Sequence, residues 1–201
     1  MTATHSGLGP SKPMAGRTRY DSVAMTLHWL IALAVLLNIG LGLYMGDLPR
    51  SDPMKFQIVQ LHKSIGLTVL ILSLLRVAWR LTHTIPALPS EMGAAMKALA
   101  RTAQVLLYVL MIILPLTGWL MVSSSPLGLP TSYFGLFDWP HIWFLADMAR
   151  ESKKELVEVF EETHELLAWI AIGLIGLHVV GALYHQHVRR DDVLKSMLPG
   201  R

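Results

Sequence analysis

The sequence predicts an all-α membrane protein, a bundle of four transmembrane helices, and three observations predict it. Hydrophobic residues fill 53% of the 201 positions and charged residues only 15%, with a mean hydropathy of +0.47, more apolar than a soluble domain of this size tolerates. Four apolar stretches reach the roughly twenty residues that a helix needs to cross a bilayer. Basic and acidic residues are segregated between alternate connections, as the positive-inside rule requires of a multi-pass chain.

The first element is a tail. Residues 1–19 are rich in Gly, Pro, Ser and Thr and carry Lys12, Arg17 and Arg19, the composition of a disordered basic segment. The first span, about 27–46, is longer than a signal-peptide core and lacks a cleavage site of small residues, so it reads as a retained helix. The second covers about 58–79. The third, about 103–122, contains Pro115, which predicts a kink rather than an end, because membrane helices tolerate proline when neighbours satisfy the freed carbonyl. The fourth covers about 166–184. Ahead of it Leu156, Val159, Phe160 and Thr163 share one helical side within Glu151–Glu165, so this helix is expected to project beyond the bilayer.

An even number of crossings puts both termini on one side. The tail, the 80–102 connection with Arg80, Lys97 and Arg101, and the C-terminal Arg189, Arg190 and Lys195 are basic. The connection of about 123–163 holds Asp138, Asp147, Glu151, Glu155, Glu158, Glu161 and Glu162 against Arg150, Lys153 and Lys154. The termini are therefore expected in the cytoplasm, with the acidic loop outside. The expected domain is residues 20–190, followed by a cytoplasmic tail over 191–201.

Cysteine is absent. This excludes disulfides, iron–sulfur clusters, thiolate-ligated haem and covalent haem attachment, leaving histidine, carboxylate or methionine for any metal chemistry. His28 lies at the inner start of the first span, His62 at the outer start of the second, and His164 and His178 on the fourth. Fourteen residues separate the last two, about four turns or 21 Å of helix. His62 thus shares the depth of His164, and His28 that of His178.

Two depth-matched pairs predict two b-type haems, each needing one neutral imidazole from either side of the porphyrin. Small residues, Ala32, Gly66, Ala168 and Ala182, follow each histidine by one turn and leave room for a flat ring. The competing reading for such histidines is an interhelical hydrogen bond or a proton relay, as in a transporter, which would be colourless. Arg76 lies fourteen residues after His62, at the depth of the inner pair, where a charge needs a partner. A haem propionate would serve for Arg76, and for Arg80 one turn on; snorkelling to the headgroups is the alternative.

The sequence resembles the bacterial cytochrome b561 family, and within it the superoxide oxidases. The matching features are Arg19-Tyr20 with Leu27-His28-Trp29, Leu61 to Gly66 followed by Arg76 and Arg80, Thr163-His164-Glu165, and Gly176-Leu177-His178 followed by His185. The resemblance implies that His28 and His178 ligate an inner haem, and His62 and His164 an outer one. Closed axial positions imply electron transfer rather than oxygen binding at iron. It further implies a periplasmic one-electron donor, with superoxide favoured, ubiquinone as acceptor, and a quinone site near the inner haem where His185 would donate a hydrogen bond or a proton.

An anionic donor calls for positive potential near the outer haem, which Lys63, Lys153 and Lys154 would supply. The loop around them is acidic on balance, which suits docking of a basic periplasmic carrier instead. The alternative function is accordingly a haem-bearing anchor and electron conduit for a separate dehydrogenase, hydrogenase or periplasmic carrier. Expected partners are the quinone pool, superoxide or such a carrier, and membrane lipid, with no nucleic acid. His5, His83 and His187 read as solvated, and His141, beside Trp139 and Trp143, as interfacial packing.

Overall fold

The computed structural model describes residues 19–89 and 91–198. The basic tail expected over residues 1–19 therefore lies, Arg19 apart, outside the described residues, with His5 and residues 199–201. Helices α1 (Ser22–Asp47), α2 (Lys55–Thr82), α3 (Ala94–Ser124) and α5 (Arg150–Tyr184) are each long and apolar enough to cross a membrane. A single turn, α4 (Trp143–Ala146), precedes α5, which runs on into a π-turn, His185–Arg189.

Each of these helices extends beyond its apolar stretch. The Asp21 carboxylate accepts from the Ala24 N–H and starts α1, worth about 1 kcal/mol as a cap. Extended backbone at Leu48, before Pro49, ends it, as the ring of a following proline dictates. Helix α3 continues through Pro115. Helix α5 begins at Arg150 and includes the whole Glu151–Glu165 stretch.

Around the bundle α1 packs on α2, α2 on α3 and α3 on α5, whereas α5 approaches α1 and α2 far less closely. Ile31, Val35 and Val69 form the buried cluster, with Ile65, Leu72, Met111 and Ile175 against it. Outward Leu33, Leu36 and Val180 are exposed, as lipid-facing positions are.

The connection after α3 holds a feature that the sequence did not announce. Strands β1 (Thr131–Tyr133) and β2 (Phe137–Trp139) pair antiparallel, turning through positive φ at Phe134 and Gly135. Three-residue strands are too short for the alternation that marks a strand. Helix α2 holds this hairpin down. Gln60 Nε2 and Lys63 Nζ donate to the Pro130 carbonyl, Gln60 Oε1 accepts from Ser132 N–H, and Thr68 Oγ1 meets the Tyr133 hydroxyl at 3.0 Å. The fully buried Ser64 accepts from Phe134 N–H at 3.0 Å. Ser64→Ala orphans that N–H, a loss of about 1–3 kcal/mol, and is expected to speed proteolytic cleavage within residues 126–142. Cleavage at the wild-type rate would show that other contacts hold the hairpin.

At the other end the C-terminal segment folds back onto the start of α1. Tyr20 N–H donates to Ser196 O at 3.1 Å and Trp29 Nε1 to Met197 O at 2.8 Å, while Arg19 Nη2 reaches Leu198 O.

Candidate functional site

Helix α5 carries one member of each histidine pair, and α1 and α2 carry the others. The ring centres stand 6.3 Å apart for His28 and His178, and 6.2 Å apart for His62 and His164, with planes crossed at 78° and 76°. The four histidines thus meet as the depths predict. Direct hydrogen bonding between two imidazoles would draw their centres to about 5 Å. A histidine nitrogen binds a first-row metal at about 2 Å, its ring centre about 1 Å behind, so two imidazoles sharing one metal stand about 6 Å apart. Both pairs have that separation. They also bridge the wider gaps of the bundle, α5 to α1 and α5 to α2.

Among the described residues no three His, Asp or Glu side chains cluster to hold a bare metal ion. Each pair offers two ligands, so an iron between them needs its equatorial positions filled by another group, as a porphyrin does. The residues present fit a bis-histidine haem.

The outer imidazoles are fixed by their backbone partners. Nδ1 of His62 donates to Asn38 O at 3.1 Å, and Nδ1 of His164 to Leu114 O at 3.1 Å, with Thr117 Oγ1 at 3.0 Å. A carbonyl only accepts, so Nδ1 carries the proton and Nε2 keeps its lone pair, the orientation that metal-ligating histidines adopt. Glycines make the fit possible. A Cβ on Gly42 would lie 3.2 Å from His62 Cε1, and one on Gly118 3.2 Å from His164 Cε1. Gly66, one of the small residues expected to make room, would meet Asn38 Nδ2 instead, at 3.5 Å.

The inner pair is built differently. Nη1 of Arg76 lies 3.0 Å from His28 Nδ1. A guanidinium only donates, so this Nδ1 accepts and the proton of the neutral ring sits on Nε2. Arg76 and Arg80 both lie 5.3 Å from the centre of the Tyr108 ring, a shared cation–π contact. Arg76 is thus turned into the bundle rather than snorkelled, beside a pocket that Tyr20, Asp21, Trp79, Arg80 and Tyr108 help to line. Burial pushes the Asp21 carboxyl up, but hydrogen bonds from Ala24 N–H and the Trp79 indole, with His83 nearby, leave it lower than usual.

His185 is buried in the π-turn and bonded to Asp191 at 2.6 Å. His187 is exposed. His83, expected to be merely solvated, stacks on Trp79 with ring centres 3.7 Å apart. On the outer side Lys63 is tied to Pro130 O at 2.9 Å and Lys153 to Ala146 O, so both ammonium groups are held in place. Lys154 instead pairs with Glu151 at 3.1 Å, which offsets the charge it was expected to offer a passing anion. Partial burial, then Lys63 and Lys153, lower the pKa of His141, so that ring lies near both lysines.

The sequence reading missed Asn38 and Leu114, because backbone carbonyls leave no mark in side-chain identity, and it missed the Thr117 hydroxyl. It also missed Gly42, Gly118, Tyr108 and Asp191. Glycines within apolar spans at ligand depth were the available signal.

Four membrane-length helices that bring imidazoles into facing pairs define a membrane electron-transfer protein of the b-cytochrome class. The chain belongs to the prokaryotic cytochrome b561 family, whose sequence model matches residues 19–200. It is a multi-pass inner-membrane oxidoreductase, and the family implies b-type haem. It is 32% identical over 180 residues to "Cytochrome b561 homolog 2" of Escherichia coli (strain K12), covering 90% of this chain and 91% of that one. It is 28% identical over 181 residues to "Probable superoxide oxidase CybB" of Yersinia pestis, covering 90% and 96%. "Cytochrome b562" of Cereibacter sphaeroides is 30% identical over 190 residues, covering 90% and 96%.

Proposed function

We propose that the protein is a dihaem cytochrome that transfers electrons from a periplasmic one-electron donor, superoxide in the favoured case, to ubiquinone in the inner membrane. The observation that carries this reading is the pair of 6.3 Å and 6.2 Å imidazole separations at two depths. His28 and His178 would hold the inner haem, and His62 and His164 the outer one. Bound there, haem supplies reversible one-electron chemistry with both axial positions closed.

The protein's own residues set the conditions. For Nε2 of His28 to bind a metal, the ring proton would have to move to Nδ1, which would release Arg76; a propionate is the acceptor that the freed guanidinium, with Arg80, would take. Lys63 and Lys153, anchored by carbonyls with His141 beside them, favour an anionic donor at the outer face. His185 would serve the quinone. The proposed domain is residues 20–190, and the basic connections favour a cytoplasmic side for the 1–19 and 191–201 segments.

The test is the purified protein alone, supplied with superoxide and a ubiquinone analogue. Rapid haem reduction followed by quinol formation is expected. If the haem stays oxidised until a separate redox protein is added, the second reading holds, that of an anchor and electron conduit. The exposed Glu151, Glu155 and Glu158 on the outer turns of α5 favour that reading, as a surface for a basic carrier.

A further inference from the structure

Past the inner histidine pair, α5 does not end as an ordinary helix. It widens into the π-turn His185–Arg189, and Arg190 follows with φ of 54°. Such π-turns are rare and concentrate at functional sites, and a left-handed arginine is a conformation that needs support from its surroundings. What the two departures achieve is to send the chain back on itself. Asp191 N–H donates to the His185 carbonyl at 3.2 Å, and Asp191 Oδ2 takes Nδ1 of His185 at 2.6 Å. The other oxygen, Oδ1, accepts from Val193 N–H at 3.2 Å.

Both oxygens of the carboxylate are therefore committed, and the imidazole has one orientation. The His185 side chain is 10% exposed and that of Asp191 18%, so the short bond between them is sheltered from water. Seven residues separate His185 from His178, two turns or about 10 Å along the axis and almost the same helical face. The dyad lies between the inner pair and the membrane end where the C-terminal segment crosses the start of α1. Next to it Gln186 Oε1 is buried without a hydrogen-bond partner, a cost of about 1–3 kcal/mol unless a ligand or water meets it.

We propose that Asp191 is the positioning residue of a proton-delivery dyad, holding His185 so that its Nε2 protonates the quinone reduced beside the inner histidine pair. This rests on the quinone reading of the preceding subsection and adds the residue that makes His185 competent. A quinone becomes a quinol by gaining two electrons and two protons, one hydrogen on each carbonyl oxygen. The electrons come singly from the one-electron donor, and the protons from cytoplasmic water, one of them by way of Nε2.

The carboxylate decides whether that path works. With Asp191 ionised, Nδ1 keeps its hydrogen throughout. The ring accepts a proton at Nε2, becomes an imidazolium stabilised by the adjacent charge, and returns to a neutral ring on giving that proton up. An amide at this position would donate to Nδ1, leaving the only ring proton on Nε2. Releasing it would then create an imidazolate, and no charge would favour the imidazolium. A neutral amide beside a catalytic histidine fails in serine proteases for the same reason, by enforcing the wrong tautomer.

The experiment uses the full-length haem-loaded protein, reduced anaerobically and mixed in a stopped flow with a short-chain ubiquinone or with ferricyanide, which takes electrons without protons. For Asp191→Asn, reoxidation by the quinone is expected to slow roughly a hundredfold. Its KM for quinone, ferricyanide rate and haem per chain should stay at wild-type values. Asp191→Glu should recover most of the rate, and Asp191→Asn combined with His185→Gln should be no slower than His185→Gln alone.

Wild-type quinone kinetics in Asp191→Asn would overturn the dyad while leaving the quinone reading intact. Equal slowing with both acceptors, or loss of haem in both Asp191 variants, would make Asp191 structural and overturn it as well. Wild-type protein that ferricyanide reoxidises and quinone does not would overturn the function proposed above, and this inference with it.

Discussion

Purified His178→Ala protein is expected to retain about one haem per chain where about two are expected in the wild type, and His62→Ala is expected to do the same from the other side of the membrane. The losses should be independent, because each pair takes its second ligand from a different depth of α5. In His178→Ala the remaining imidazole, His28, still has its Nδ1 turned to Arg76, a donor, so no hydrogen bond prepares its Nε2 to hold a metal alone. In His62→Ala the remaining His164 is still fixed by Leu114 and Thr117. Residual weak binding, with an altered spectrum from an open axial position, is therefore expected at the outer site rather than the inner one. Haem extracted per chain and a reduced-minus-oxidised spectrum read both effects. Two haems with unchanged spectra in either variant would remove that histidine from the ligand set.

Much of this architecture is legible in the sequence because a bilayer leaves few choices. Backbone groups in lipid must be satisfied within the segment, so four apolar stretches become four helices, and the fixed rise of a helix converts the spacing of His164 and His178 into depth. The outer connection is harder to read. Its hairpin exists because Gln60, Ser64 and Thr68 on α2 offer hydrogen bonds to it, a tertiary reason that three-residue strands do not display locally. The same limit applied to the site. The candidate ligands are side chains, named from their type and spacing, but the groups that aim the outer two are carbonyls of Asn38 and Leu114, whose identity as residues is nearly irrelevant. Asp191 escaped notice for another reason. Six residues past His185, an ordinary helix would place it about 120° round the axis from that ring and about 9 Å along it; only the π-turn and the left-handed Arg190 bring it back. Lys154 misled in the opposite way, since a lysine counted as a positive charge is worth little to an anion once Glu151 three residues earlier takes it.

Gly42→Val and Gly118→Val are expected to empty the outer haem site and spare the inner one, again giving about one haem per chain, although neither residue is a ligand. Even the first added carbon would lie 3.2 Å from Cε1 of the facing histidine, closer than carbons pack without displacement. A surface side chain would swing aside. These rings cannot do so freely, because Nδ1 of His62 is held by Asn38 O and Nδ1 of His164 by Leu114 O. In each case the carbonyl belongs to the helix that carries the glycine, so the added carbon and the hydrogen bond act on the ring from one side. Moving the ring off the carbon lengthens the bond that orients it. Alanine demands a shift of a few tenths of an ångström and should weaken outer haem binding on the order of tenfold, the lower range for losing an orienting partner. Valine, branched at the same carbon, leaves no such compromise. The inner haem is the internal control for folding: its retention with loss of the outer one locates the effect at the ring. Loss of both would trace the glycines to helix packing instead, and full haem content in both valine variants would show that the His62 and His164 rings have more freedom than their hydrogen bonds imply.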